Sequence, residues 1–350
     1  MATTFKTFLN NDVTTTRTLL HEAIPVTGSI VSGTYSDENV KNFSHGIFQS
    51  VYDYPYLSSS ANQIFDLSVG YSADSALSAS SGVTEQSKKI NMYNQMAQVL
   101  VGHDVTGAIL KFDEDGNIAA GGTKLKECVF IDFSRLLYKD EIKKGSFSLE
   151  LGVNATYGTP FTETIILADT NAANDYRVNS PAGEYAVLTA SDGTGTPMAS
   201  SGVSAGLIYY QAGIAVVTAS VFGSLLTSPA EMNSAAEGID AILTGSAISG
   251  SCDAFRHRTE DVAFNNTTEL NSTIYFCRVN NNDFNYSANP TYLSESKLRV
   301  KRTTTDAPVS YITTVGLYSD DNELLAVAKL SEPLRKDPTN EMILRVRLDY

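Results

Sequence analysis

The sequence predicts a mainly β protein with a few helices (α+β), in which hairpins build antiparallel β-sandwich-like domains. Three observations carry this prediction. Short segments alternate between apolar and polar residues and end at turns rich in Gly, Asp and Asn. Charged residues make up only 18% of the chain, and Ser, Thr and Asn supply most of the remaining polarity, which suits strands and turns. Helical periodicity is confined to two segments.

The strand signals are clearest in hairpins. Residues 62–71 (NQIFDLSVGY) alternate well enough for a half-buried strand. An Asp-Gly pair at 115–116 marks a tight hairpin turn. Residues 205–218 contain two apolar runs around a Gly-containing turn, and residues 311–330 repeat the arrangement around the turn SDDNE. These segments are expected to form antiparallel pairs.

Two helices are predicted, near 84–101 and near 229–244. The first has apolar residues at helical spacing and ends before Gly102, a residue type favoured just after a helix. The second begins with Ser228 as a cap and Pro229 at the first helical position. Both apolar stripes are expected to pack against the sheets.

The length of 350 residues predicts two domains, because single compact cores are usually smaller. We place a mixed region at 1–107, with an assembly arm and the first helix. A β-rich structural domain follows at 108–350 and ends in a C-terminal module at about 272–350. The polar stretch 1–18 is either such an arm, ordered by neighbouring subunits, or a frayed end.

The charge balance argues against nucleic acid as a partner. The formal net charge is -14, and no long cluster of Lys and Arg is available to follow a phosphate backbone. The most apolar stretch, 206–226, is interrupted by polar residues and Gly, so paired strands are favoured over a membrane span. The first residues lack the apolar segment of a secretory signal, which predicts a cytoplasmic site of synthesis.

No residues are nominated as catalytic, cofactor-binding or metal-binding. The four His residues do not show the spacing of zinc motifs, and no nucleophile elbow or phosphate loop is present. His257, in the polar run RHRTED, is expected in a solvated loop. The acidic turn at 113–117 faintly resembles a calcium loop. It has Ile118 and Lys124 where that loop requires Gly and an acid, so a hairpin turn is favoured.

The three cysteines do not form a disulfide framework. Three buried thiols are favoured, although Cys252 and Cys277 could pair if their strands are neighbours.

Tyrosines and the closing strand supply the candidate interface. The chain has 18 Tyr, a residue type that serves interfaces well. Tyr52, Tyr54 and Tyr56 alternate around Pro55 and either present an aromatic ridge or fill the edge of a core. The strand 341–350 places apolar residues on one face and Arg on the other. The candidate interface residues are therefore Tyr52, Tyr54, Tyr56, Arg345, Arg347 and Tyr350.

The last eighty residues carry a resemblance. The segments YFCRVNNNDFNYSANPTY (275–292), YITTVGLYSDDNELLAVAKLSEPLRKDP (311–338) and the terminal LRVRLDY resemble a module of virion structural proteins from large contractile-tailed phages, of the marine and cyanobacterial type. VFIDFSRLLYKDEIKKGSFSLEL and GLIYYQAGIAVV are similar to upstream elements of that family, so the resemblance covers roughly 128–350. In the module, Phe284 and Tyr286 are expected to anchor the Asn-Pro turn in a core.

The resemblance implies a non-enzymatic component of a tailed-phage virion, in the tail or baseplate, that makes contacts with other virion proteins and with copies of itself. Alternatives are a neck or head-associated structural protein, or a module that binds host-surface glycans through the tyrosine ridge. An envelope-degrading enzyme would need convergent carboxylates in a cleft, which the sequence does not indicate.

Overall fold

A computed structural model describes residues 5–27, 37–79, 85–118, 121–153, 163–192, 204–219, 247–287 and 307–350, together with Leu243, 293–294, 297–298, Thr303 and Thr305. The predicted class is confirmed, since most elements are strands and the described residues form three helices. The helices are α1 (Gln86–Leu100), α2 (Arg135–Tyr138) and α3 (Ile248–Arg258). The strands, in chain order, are β1 (Val13–Thr27), β2 (Val40–Asn42), β3 (Gln49–Tyr52), β4 (Gln63–Tyr71), β5 (Glu127–Phe133), β6 (Glu141–Ile142), β7 (Ser148–Val153), β8 (Glu163–Ala168), β9 (Arg177–Ser180), β10 (Gly183–Asp192), β11 (Ser204–Tyr209), β12 (Ile214–Thr218), β13 (Thr259–Val279), β14 (Leu293–Ser294), β15 (Lys297–Leu298), β16 (Ser310–Tyr318), β17 (Leu324–Lys336) and β18 (Met342–Asp349).

The chain divides into two compact units. One contains residues 1–19 and 269–350, and the other contains residues 20–268. The predicted domain boundary between residues 107 and 108 does not coincide with the division into these two units. The physical reason is that β4 and β5, which lie on either side of residue 107, pair along their whole length, from Phe65–Phe133 to Tyr71–Glu127.

The unit 20–268 is built on an antiparallel sheet with the order β13-β7-β8-β10-β11-β12-β5-β4-β3-β2. Both faces of the sheet are covered. In β5, Cys128 and Phe130 belong to a core that includes α1, whereas Val129, Ile131 and Phe133 belong to a core that includes α3. Burial on both faces explains why this strand is a nearly continuous apolar run rather than an alternating one.

Helix α1 agrees with the prediction for 84–101. Gly102 follows it with a φ of +93° and donates its N–H to the carbonyl of Ala97, as expected for a glycine that ends a helix. The helix packs very closely on β4, where a Cβ on Gly70 would lie 2.6 Å from the carbonyl oxygen of Lys89. The helix predicted near 229–244 lies outside the described residues, apart from Leu243.

Helix α3 was not predicted, and the solvated loop expected around His257 is wrong. Residues 256–258 form the last turn of α3, and β13 follows directly. Arg256 and Arg258 are fully buried, and Nη1 of Arg258 donates to the carbonyl of Gly152 at 3.1 Å. Packing of Cys252 and Phe255 into the core stabilises this helix.

The unit formed by residues 1–19 and 269–350 contains the short antiparallel pair of β14 and β15 and two longer antiparallel pairings that involve β16, β17 and β18. The second half of β13 pairs with β18, from Ser272–Asp349 to Val279–Met342. Strands β16 and β17 pair with each other in a separate two-stranded sheet. Both longer pairings involve the segments on which the phage resemblance depends.

Candidate assembly surface

Strands β16 and β17 form a hairpin, which we call the ribbon. Its turn is ordered by the N–H of Ser319, which donates to the carbonyl of Glu323 at 2.9 Å, and by the N–H of Asn322, which donates to the carbonyl of Ser319 at 3.0 Å. Asn322 has a φ of +63°, a conformation that Asn tolerates better than most residues. The turn SDDNE therefore has the local chemistry that the sequence predicted.

The ribbon is interrupted part-way along its length. Ile312 pairs with Leu334, but the next pair is Thr314 with Lys329, so residues 330–333 of β17 bulge out of the ladder. Pro333 lies in this bulge, where its missing N–H costs no ladder hydrogen bond.

Apolar side chains of the ribbon are exposed. Leu325 is 68% exposed and Val327 is 53% exposed, and Tyr318 and Leu324 are also exposed. Leu317 is buried and Val315 is half-buried. The aliphatic side chains of β16 are therefore partly covered, whereas Leu325 and Val327 of β17 are exposed. Among the described strands, β16 and β17 pair only with each other.

The base of the ribbon is held by a buried ammonium group. Nζ of Lys336 donates to the carbonyls of Asn281 and Asp337 at 3.1 and 2.8 Å, and to Oδ1 of Asn285 at 2.7 Å. These contacts tie the ribbon to the turn that precedes the Asn-Pro dipeptide. Lys336, which sequence reasoning did not single out, is fully buried.

The expectation that Phe284 and Tyr286 anchor this turn in a core is wrong. Both side chains are exposed, and Phe284 has a φ of +55°. The polar contacts of Lys336 hold the turn instead, so the turn leaves two aromatic rings on the surface of this unit.

Strand β18 carries Arg345, Arg347 and Tyr350. Val346 is buried and Leu344 is half-buried, whereas both arginines are exposed, in agreement with the alternation of the sequence. Tyr350 exchanges two backbone hydrogen bonds with Asn271, at 3.2 and 2.9 Å, although its side chain is 75% exposed. The last residue of the chain is thus part of the ladder.

Arg347 is neutralised locally. Its Nε donates to Oδ1 of Asp349 at 2.7 Å, and its Nη2 donates to Oγ of Ser272 at 3.0 Å. Hydrogen bonds from Ser272 and Arg347 lower the pKa of the Asp349 carboxyl. Arg345 forms no ion pair within the part of the chain that the structure describes.

The tyrosine ridge lies in the unit 20–268, at the end of β3 and in the loop that leads to β4. Tyr52 is half-buried, and its ring centroid is 6.3 Å from that of Tyr56. Tyr54 is 57% exposed and Tyr56 is 39% exposed. The loop is ordered by Asp53, whose carboxylate accepts the backbone N–H of Asn62 at 2.6 Å and its side-chain N–H at 2.9 Å. Two of the three rings are therefore presented to solvent on a braced loop.

A crevice too narrow to hold a water molecule lies beside the Asp-Gly hairpin. Phe112, Tyr185 and Tyr209 contribute to its wall, and Asp113 is its one carboxylate. Asp113 forms an ion pair with Lys124, so the residue that departs from the calcium-loop pattern places an ammonium against the acid. Burial, the largest influence, raises the pKa of Asp113.

Other chemistry-bearing groups are dispersed. The described residues contain no cluster of three His, Cys, Asp or Glu side chains arranged to hold a metal ion. All three cysteines are free thiols; Cys128 and Cys252 are buried, and Cys277 is half-buried. Within the same described ranges, no helix has the length and apolarity needed to cross a membrane.

Comparison of the chain with protein-family models, with curated proteins and with solved structures finds no match. The surfaces described above and the resemblance of the C-terminal segments are therefore the features that bear on function.

Proposed function

We propose that the protein is a non-enzymatic structural component of a tailed-phage virion, in the tail or baseplate region, and that it acts through protein–protein assembly contacts. Its partners are other virion proteins and copies of itself, and the role uses no cofactor, nucleic acid or membrane span. The C-terminal resemblance supports the phage context. The ribbon, with its exposed apolar side chains, is the observation that supports an assembly role.

A partner that covers the ribbon would stabilise it. A two-stranded hairpin alone is marginally stable in water, and a hairpin with an apolar surface gains most from a covering layer. Clustered apolar exposure on a soluble protein also marks interaction sites. Full burial of one Leu or Val side chain contributes about 1.5–3 kcal/mol. Lys336 anchors the base of the ribbon to Asn285. A partner that binds the ribbon therefore does not have to order the whole hairpin, which lowers the entropic cost of binding.

The test is incorporation of ribbon variants into particles. We expect Leu325→Asp combined with Val327→Asp to fold normally, because both side chains are exposed in the free chain. The same variant should be lost from purified particles of the virus that encodes it, as measured by mass spectrometry. Thr313→Asp combined with Ser331→Asp is the matched control, since it adds two charges at exposed polar positions of the ribbon. Normal incorporation of the apolar-to-acid variant contradicts the proposal.

The position in the virion needs a separate measurement. Gold-labelled antibody against the chain, viewed on intact particles by electron microscopy, should mark the tail or baseplate. Label at the neck or head supports the alternative placement, with the same assembly chemistry. Particles without label contradict a virion role.

A second candidate function, binding of host-surface glycans, has one supporting observation. Tyr54 and Tyr56 are exposed on a loop braced by Asp53, and exposed aromatic rings can stack on sugar rings. We expect Tyr54→Ala combined with Tyr56→Ala to abolish binding of the purified chain to host envelope glycans if this function is present. Leu57→Ala, an exposed apolar change in the same loop, is the control.

A further inference from the structure

The tip of the ribbon is both acidic and ordered. Asp320, Asp321 and Glu323 are exposed, and none of them forms an ion pair with the described part of the chain. The backbone hydrogen bonds between Ser319 and Glu323 fix the turn, so a partner that binds the acidic tip does not have to order it. Leu324 and Leu325 follow immediately and are exposed by 52% and 68%.

The outer face of β18 has complementary features. We call this the β18 face and define it by Ile343, Arg345 and Arg347. Ile343 is 58% exposed, and Arg345 is an exposed cation without an ion-pair partner among the described residues. Asp349 already neutralises Arg347. A cation and an exposed aliphatic side chain thus lie two residues apart on β18, and at the tip the acids Asp320 and Asp321 precede the exposed Leu324 and Leu325 by three to five residues.

We propose that the acidic tip of one copy of this chain docks on the β18 face of a second copy. Asp320 and Asp321 then lie against Arg345, and Leu324 and Leu325 pack against Ile343. The inference rests on the assembly function proposed above and names one of its partners. A second copy is the favoured occupant because the chain itself carries both complementary patches.

The contact has a geometric consequence. The two patches differ, so the interface is heterologous, and a docked pair retains one free tip and one free β18 face for further copies. Repetition of such a contact closes into a ring or continues as a helical array. Either arrangement is compatible with a symmetric virion substructure.

The experiment is charge reversal with complementation, followed by sedimentation of the full chain. Arg345→Glu in one preparation, and Asp320→Lys with Asp321→Lys in another, should each weaken self-association by at least about tenfold, because like charges then face each other. An equimolar mixture of the two preparations should recover association to within about threefold of the unaltered chain, since the reversed pair is again complementary. Raising the salt concentration should weaken association of the unaltered chain.

Glu332→Lys is the matched control, because Glu332 is an exposed acid in the bulge of the same ribbon. It should leave association unchanged, and all variants should keep the circular dichroism spectrum and melting temperature of the unaltered chain. An unaltered chain that stays monomeric overturns the inference. So does reversal without weakening, or a mixture without recovery.

Particle incorporation separates this inference from the proposed function. If Arg345→Glu is incorporated normally while Leu325→Asp with Val327→Asp is lost, the assembly function stands and the contact between copies is wrong. If all of these variants are incorporated normally, both proposals fail.

Discussion

The hydroxyl of Tyr210 donates a 2.7 Å hydrogen bond to Oδ2 of Asp169, and both residues are buried. The same carboxylate accepts the backbone N–H groups of Gly145 and Phe147 at 2.8 and 2.9 Å. Burial raises the pKa of Asp169 in spite of these hydrogen bonds, and it also raises the pKa of Tyr210. The carboxylate thus fixes the segment that leads into β7.

Removal of this acceptor should be costly. We expect Asp169→Ala to lower the free energy of unfolding by about 2–4 kcal/mol, because three donors lose their partner, and two of them, on Phe147 and Tyr210, are buried. Tyr210→Phe should cost only about 1 kcal/mol, because the carboxylate keeps its two backbone donors. Urea denaturation of the two variants measures both values. Equal losses would contradict the assignment of Asp169 as the centre of this network.

The close packing of β4 against α1 leaves no room for a side chain at Gly70. A Cβ at this position would lie 2.6 Å from the carbonyl oxygen of Lys89 and 2.8 Å from the backbone nitrogen of Tyr93, both in α1. We expect Gly70→Ala to lower the free energy of unfolding by about 2–3 kcal/mol, since helix and strand must separate. Gly107→Ala is the control: it meets no atom within 4 Å, and its φ of +86° should cost about 1 kcal/mol. A smaller loss for Gly70→Ala than for the control would be inconsistent with this packing.

Local sequence chemistry accounts for the elements that were predicted correctly. The helix near 84–101 and the SDDNE hairpin have their turn residues and periodicity within a few positions of each other. Helix α3 lacks such a local signal, because Ser249, Gly250 and Ser251 obscure its periodicity. It forms because Cys252 and Phe255 pack into the core, a tertiary effect that a local pattern does not contain.

The sheet order and the exposed ribbon were beyond prediction for a related reason. Strand β5 pairs with β12, which lies some eighty residues away, and nothing local in either strand specifies that neighbour. In the ribbon, alternation predicted a hairpin, but it did not specify whether apolar residues such as Leu325 and Val327 are buried or exposed. Only the structure shows that they are exposed. The polar anchor Lys336 was missed because a lone lysine usually lies on the surface.

The three thiols should differ in reactivity. Burial raises the pKa of Cys128, Cys252 and Cys277, but Cys277 is only half-buried. We expect a thiol reagent to modify Cys277 first in the native chain, and to reach the other two only on unfolding. Cys277→Ser should therefore abolish the early phase of modification. Early reaction of Cys252, identified by peptide mapping, would show that the α3 core opens readily.

Asp66 and Asp132 lie directly opposite each other on β4 and β5, an unfavourable placement for two acids. Burial, followed by repulsion from Asp66, raises the pKa of Asp132 to about 6. The folded state then binds more protons than the unfolded chain between about pH 4 and 6, so this group lowers the free energy of unfolding as pH rises through that window.

Asp132→Asn removes the effect. The variant should match the unaltered chain near pH 4 and exceed its free energy of unfolding by about 1–3 kcal/mol at pH 7.5. Asp53→Asn removes an acid of the tyrosine loop that lies outside this pair, and it should not reproduce the pH-dependent gain. Parallel stability curves for Asp132→Asn and the unaltered chain from pH 4 to 7.5 would show that the two carboxylates do not repel.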